Sequence, residues 1–193
     1  MSFKNYLDLI KKPSIVFGFG RFNPPHKDHQ ELFDDMLKTA KKNKIPNITI
    51  FTSSVQNSKK NPLNFQDKTQ LLKTMVPKSV TVSNDTSLKT PYQILEDLIK
   101  TKKYQRIIFV VGEDRIADFK TMYTYVKNWE KELNIDIDFK IEQRKGSRST
   151  GVSATAMRNF AKENDFDHFK ELLPDKLKSQ AFEIFTKVQQ GLK

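Results

Sequence analysis

Two histidines three residues apart, His26 and His29, follow a double proline in "GFGRFNPPHKDHQEL" (residues 18–32), and the whole chain has only three. Imidazoles so spaced can ligate a metal, donate to a phosphate, or do no more than open a helix. A zinc site would need companions, yet the chain has no cysteine and no His-Glu-x-x-His arrangement, and His168 is the only further imidazole. No metal-ligand set is therefore expected. Phosphate fits the neighbours better, because Arg21 lies just before the turn and adds a guanidinium. A second stretch, "GVSATAMR" (residues 151–158), offers the hydroxyls of Ser153 and Thr155, with Arg158 one helical turn on. A hydroxyl at a helix start is most often a cap and nothing else. Two helix starts that gather hydroxyls, imidazoles and guanidinium groups nonetheless suit a polyphosphate, since the free N–H groups and positive dipole end of a helix already favour an anion.

Such residues must be held by regular elements, and the flanking pattern supplies them. "SIVFGFG" reads as a buried strand that stops at a tight turn, and "HQELFDDMLKTAKKN" places Leu32, Phe33, Met36, Leu37 and Ala40 on one helical face. The histidines thus sit between a strand and a helix. The alternation repeats. "NITIFT" is a strand and "NFQDKTQLLKTMV" a helix, with Asn64 as its cap and Asp67 near its positive end. "SVTVS" is a strand, and "PYQILEDLIKTK" a helix entered by Thr90 and Pro91. "RIIFVV" runs apolar into Gly112, "FKTMYTYVKNWEKEL" reads as one long helix, and "IDIDFKIEQ" alternates as an edge strand does. After a basic loop, "RKGSRSTG", the stretches "SATAMRNFAKEN", "FDHFKELL" and "KLKSQAFEIFTKVQQ" are helical, with Gly191 as a C-terminal cap.

Strands separated by helices imply parallel βαβ units. The expected fold class is α/β, a Rossmann-like doubly wound parallel sheet of about five strands with C-terminal helices, whose ligands lie outside the carboxyl ends of the strands. Residues 1–13 form an amphipathic lead helix (Phe3, Tyr6, Leu7, Ile10) closed by Pro13, and residues 14–193 form a single domain.

Lys plus Arg exceed Asp plus Glu by 34 to 23, a formal charge of +11, which attracts polyanions from nucleotides to nucleic acids. Much of the excess is lysine spread along helices, the pattern of a solvated surface. No aromatic platform accompanies the basic loop, so nucleic acid ranks last among the partners. Without cysteine, an apolar run of about 20 residues or a signal-peptide core, a soluble cytoplasmic protein with no membrane partner is expected.

"GRFNPPHKDH" resembles the Gly-Arg-Phe-x-Pro-x-His-x-Gly-His signature of the HIGH-motif nucleotidylyltransferase superfamily, and "VSATAMR" resembles its second signature, Ser-x-Thr-x-x-Arg. Within that superfamily the chain is most similar to the archaeal type of nicotinamide mononucleotide adenylyltransferase and to related proteins of large tailed phages, through "TSSVQNSKKNPLNFQDK" and "DFDHFKELLPDKL". The resemblance covers residues 14 to about 180. It implies that Gly18, Phe19, Gly20, Arg21 and Phe22 lie along the nucleotide, the glycines letting backbone approach it. It further implies that Arg21, His26 and His29 hold the ATP phosphates, and that Ser153, Thr155 and Arg158 hold the β- and γ-phosphates from the other side. Lys68 stands where the archaeal group has a phosphate-binding arginine, and Gly112 and Asp114 resemble a Gly-x-Asp near the nucleotide or acceptor. Asp28 departs from the pattern, most members having glycine there; it suits the helix dipole but would repel a triphosphate that it faced.

The activity so implied is transfer of a nucleotidyl group from a nucleoside triphosphate, ATP in the first instance, to a phosphorylated acceptor with release of pyrophosphate. Nicotinamide mononucleotide, giving NAD, is the leading acceptor, and Mg²⁺ arrives on the triphosphate. Two alternatives remain: a cytidylyltransferase acting on a phosphorylated alcohol, and a nucleotide-binding module with little turnover, which Asp28 would favour. Members are often oligomeric, so a homo-oligomer is a further expectation of the resemblance.

Overall fold

The computed structural model describes residues 12–112, 115–144 and 151–193. The lead helix expected over residues 3–10, Asp114 and most of the basic loop lie outside the described residues. Among those described, the strands β1 (Ser14–Gly20), β2 (Asn47–Thr52), β3 (Thr81–Val82), β4 (Arg106–Val111) and β5 (Asp138–Gln143) form a parallel sheet in the order β3-β2-β1-β4-β5. Helices α1 (Lys27–Asn43), α2 (Phe65–Met75) and α3 (Pro91–Lys100) follow the first three strands, and α4 (Ile116–Phe119) and α5 (Met122–Leu133) follow the fourth. After β5 come α6 (Ala154–Lys162), α7 (Phe166–Leu172), a 3-10 turn (Asp175–Gln180) and α8 (Ala181–Gly191). The expected α/β class and doubly wound sheet are what the chain forms.

The period of two along each strand divides its side chains between two cores. Val16, Ile50, Ile108 and Val110 bury against Phe33 and Met36 of α1, Leu72 of α2 and the C-terminal helices. Ile15, Phe17, Ile107, Phe109 and Val111 face α3 and α5, where Ile94, Leu98, Met122 and Trp129 close the second core. Phe17 and Phe109, partners in register, stack with ring centroids 4.4 Å apart. Because both faces are covered, β1 and β4 read as near-continuous apolar runs. Helix entry follows the expected chemistry: Asn64 accepts the Asp67 amide at 2.8 Å, and Thr90 accepts that of Gln93. Among the described residues no helix is long and apolar enough to cross a membrane.

Three elements differ from expectation. The third strand shortens to two residues, because beyond it Asp85 turns back to accept the amide and hydroxyl of Ser87, a local alternative to sheet pairing. The expected long helix divides into α4 and α5, and Tyr92 is the cause. Its hydroxyl takes the Asp118 carbonyl at 3.3 Å and pairs with Thr121 Oγ1 at 2.6 Å, engaging an acceptor that a continuous helix would offer to Met122. The final stretch enters through a 3-10 turn, and Gly191 is the last residue of α8 rather than a cap beyond it.

What Gly191 provides is close approach: a Cβ there would lie 2.1 Å from the Pro62 carbonyl oxygen. Leu63, next to Pro62, donates its amide to the buried Asn23 side chain at 2.8 Å, so this contact reaches the β1–α1 turn. Gly191→Ala is expected to destabilise the fold by about 1–3 kcal/mol through overpacking. Urea unfolding measures it, and an unchanged midpoint would show that α8 shifts without cost.

Candidate active site

With the order β3-β2-β1-β4-β5, the winding direction reverses between β1 and β4, and their carboxyl ends open a crevice. A cleft of about 960 Å³ lies there. Phe19, Gly20, Arg21, Phe22, His26 and His29 reach it from the end of β1, the β1–α1 turn and the first turn of α1, Gly112 from beyond the end of β4, and Ser153, Thr155 and Arg158 from the start of α6. The two stretches singled out by spacing alone therefore meet across one opening. A smaller cavity of about 360 Å³ near β3, lined by Ile15, Phe51 and Leu98 among others, contains none of these residues.

At the first helix start His26 is the N-cap residue and is almost fully buried, and His29 lies in the first turn. The rings are 3.6 Å apart between centroids. His29 Nδ1 accepts the His26 backbone N–H at 3.1 Å. That bond leaves the ring proton of a neutral His29 on Nε2, so the imidazole offers a donor. Phe22 packs its ring against His29, with centroids 4.8 Å apart. It does so in the left-handed region, at φ 44, with its ring where a Gly20 Cβ would be, at 2.6 Å. A strained aromatic residue on the cleft wall is a local cost of order 1 kcal/mol that only the surrounding structure sustains.

At the second helix start Ser153 accepts the Ala156 amide at 3.0 Å, so it is a cap, while its own hydroxyl proton stays available to a ligand. Arg158 is 8 % exposed and donates to the Asn23 carbonyl and to Thr155 Oγ1, each at 2.9 Å. Among the described residues it has no carboxylate partner. Burial, and secondarily the charge of Arg21, pull the Arg158 guanidinium below its ordinary range. Arg21 is exposed in the cleft. Two guanidinium groups drawn together without an acid are unfavourable until an anion binds between them.

Two expected nucleotide contacts serve packing in this structure. Gly18 does not line the cleft: a Cβ there would meet Met36 Sδ at 2.7 Å, so the glycine lets α1 pack closely on β1. Lys68 is fully buried, and its ammonium donates to the Ser53 carbonyl beneath the cleft wall. Burial lowers its pKa from 10.5 to about 8. Asp28, the departure from the motif, faces inward: it is 5 % exposed and lies on the cleft wall.

Other residues of the site carried no readable spacing signal. Asn23 is buried and joins three segments, donating to the Leu63 carbonyl at 3.1 Å, accepting the Leu63 amide and accepting from Arg158. Its place before a double proline inside the first motif was the one available hint. Ser53, Lys60, Lys89, Arg115 and Arg144 also line the cleft, and nothing local in the sequence distinguishes them from surface residues.

The sequence model of the cytidylyltransferase-like family matches residues 17–169, from β1 through α7. A Thermosipho melanesiensis protein, provisionally assigned as a nicotinate-nucleotide adenylyltransferase, is 31% identical over 123 residues, 60% of this chain and 59% of that protein. The chain thus spans about 59% of the length of that relative. A structure from Vibrio parahaemolyticus, with the same provisional assignment, superposes with a TM-score of 0.57 at 18% identity, covering 92% of this chain and 95% of the other. Thermotoga maritima TmcAL bound with alpha-thio ATP gives 0.55 at 14% identity, covering 90% of this chain and 55% of that one. At such identities the two structures share the fold. The family match spans both helix starts and the four strands between them, and the chain belongs to the cytidylyltransferase-like family of nucleotidylyltransferases.

Proposed function

We propose that the protein transfers the adenylyl group of ATP to a pyridine mononucleotide, nicotinamide mononucleotide or its acid form, releasing pyrophosphate. The observation that carries this reading is the Arg21–Arg158 pair, which has no acid partner among the described residues, at a cleft bounded by two helix starts. Family membership and the nicotinate-nucleotide assignments of the relatives support the choice of acceptor.

A phosphate oxygen of the acceptor attacks the α-phosphorus of ATP, the bond from that phosphorus to the bridging oxygen breaks, and pyrophosphate leaves with the electron pair. The attacking phosphate is already mostly ionised near neutral pH, its second pKa being about 6, so no general base is needed. The work left to the protein is alignment and neutralisation of charge. Arg21 and His26 hold phosphates at the first helix start. His29 and Arg158 meet the charge that builds on the leaving group, and Ser153 and Thr155 orient it with hydroxyls. Mg²⁺ carried by ATP would supply further positive charge to the phosphates that these residues hold.

A pyrophosphate-release assay tests the reading, pairing ATP and CTP each with both pyridine mononucleotides and with a phosphorylated alcohol. Release is expected with ATP and a pyridine mononucleotide. Release confined to CTP and the phosphorylated alcohol would replace the reading with the cytidylyl alternative, and nucleotide binding without release would leave a binding module.

A further inference from the structure

We propose that Asp28 is a protein ligand for the divalent cation that enters the cleft with a nucleoside triphosphate, an inference that rests on the nucleotide-binding reading above. Asp28 occupies the second position of α1, a helix of 17 residues, and is 5 % exposed on the cleft wall. Among the described residues neither of its carboxylate oxygens has a hydrogen-bond partner. Arg144, which touches the residue, does so at the Asp28 carbonyl, at 3.0 Å, and pairs with the Glu31 carboxylate at 2.9 Å. Two other acids at helix starts are engaged: Asp67 receives Asn64 and Lys187, and Asp165 receives His168. The helix dipole offsets only part of the cost of an anion held out of water. A carboxylate so placed is completed by something that arrives with the ligand.

The sign of its interaction with the ligand names that partner. Directly against a triphosphate, Asp28 is repulsive; with a divalent cation between them, both contacts become attractive. Mg²⁺ keeps several waters and takes one or two carboxylates together with substrate phosphates, so a single protein carboxylate is enough. That fits a chain whose described residues contain no group of three acids, histidines or cysteines able to hold a metal by themselves. Asp28 is also the residue before His29, so the cation would be held beside a phosphate donor.

Calorimetric titration of ATP into the wild type, Asp28→Asn and Asp28→Gly, in excess Mg²⁺ and in excess chelator, tests this, with thermal melting confirming that each variant is folded. The wild type is expected to bind ATP about tenfold or more tightly with Mg²⁺ than without. In Asp28→Asn the ratio should fall to about threefold or less, chiefly because metal-free ATP binds better. Linkage requires the reciprocal effect: Mn²⁺ titrated into the protein–ATP complex and followed by electron paramagnetic resonance should bind more tightly to the wild type than to either variant. An equal Mg²⁺ ratio in all three proteins overturns the proposal and leaves the nucleotide reading standing. So do variants that bind metal-free ATP more weakly than the wild type, since Asp28 would then be a neutral donor to phosphate. Failure of every form to bind ATP, with or without metal, overturns both. Should Asp28→Gly fail to fold, the Asp28→Asn comparison alone decides.

Discussion

Replacing Arg158 with alanine is expected to lower the maximal rate of nucleotidyl transfer about 10²-fold or more while weakening ATP binding less, and His29→Ala should behave alike. Arg158 is held from two sides, by the Asn23 carbonyl and the Thr155 hydroxyl, and among the described residues it has no carboxylate to neutralise it. A cation prepared in that way costs no reorganisation when negative charge moves onto the leaving pyrophosphate. Its benefit is therefore larger in the transition state than with bound ATP, where the charge is spread further. His29 is prepared by another device: the His26 amide occupies Nδ1 and leaves Nε2–H as the donor. Steady-state kinetics together with calorimetric ATP affinities check the expectation. Turnover within threefold of the wild type for either variant would remove that residue from the transition state.

The second large effect is on stability and comes from Lys68. A lysine whose pKa falls from 10.5 to about 8 on folding sheds its proton in the folded state at lower pH than in the unfolded chain. Below about pH 8 both states hold the proton, and the fold bears the full cost of a buried charge. Between about 8 and 10.5 the unfolded chain binds more protons than the folded one, so stability rises with pH, by about 3 kcal/mol across the window. Lys100, Lys127 and Lys187, raised by their acid partners, act in the opposite direction, and the comparison must cancel them. Lys68→Met, of similar volume, does so, because it retains those residues. The stability difference between wild type and variant should change by about 3 kcal/mol in favour of the wild type as denaturation is repeated from pH 7 to 10.5. A difference that stays constant over this range would mean that Lys68 does not titrate in it. The same side chain steadies the site, since its ammonium anchors the Ser53 carbonyl while the Ser53 amide donates to Gly20 at 3.2 Å.

Much of this arrangement is legible along the chain. Apolar residues at helical spacing from Leu32 to Ala40, the capping pairs Asn64 with Asp67 and Thr90 with Pro91, and the apolar runs of β1 and β4 are local records of which side faces a core. They fix the alternation of strand and helix, and that alternation places His26, His29 and Arg21 at the carboxyl end of a buried strand. The motif spacing likewise places Ser153, Thr155 and Arg158 at a second helix start.

Only the tertiary structure decided which neighbour each buried polar or small residue meets, because those neighbours lie far away in the chain and no local period encodes them. Lys68 could be matched to a phosphate contact by position, yet its ammonium meets the Ser53 carbonyl instead of the cleft. Gly18 lies against the Met36 side chain on the following helix, Gly20 lies against the ring of Phe22, and Gly191 is required by the Pro62 carbonyl. Tyr92, one strand and one helix earlier, interrupts what helical spacing alone would have continued from Phe119 to Leu133. Asn23 links Arg158 to Leu63 across long stretches of sequence, and Asp28 holds its carboxylate out of water with no hydrogen-bond partner among the described residues. Amphipathic period and capping chemistry are properties of a segment, so the sequence by itself determined the elements and where their ends point. The partner of a buried charge is a property of the assembled cores, which exists only once the segments have packed.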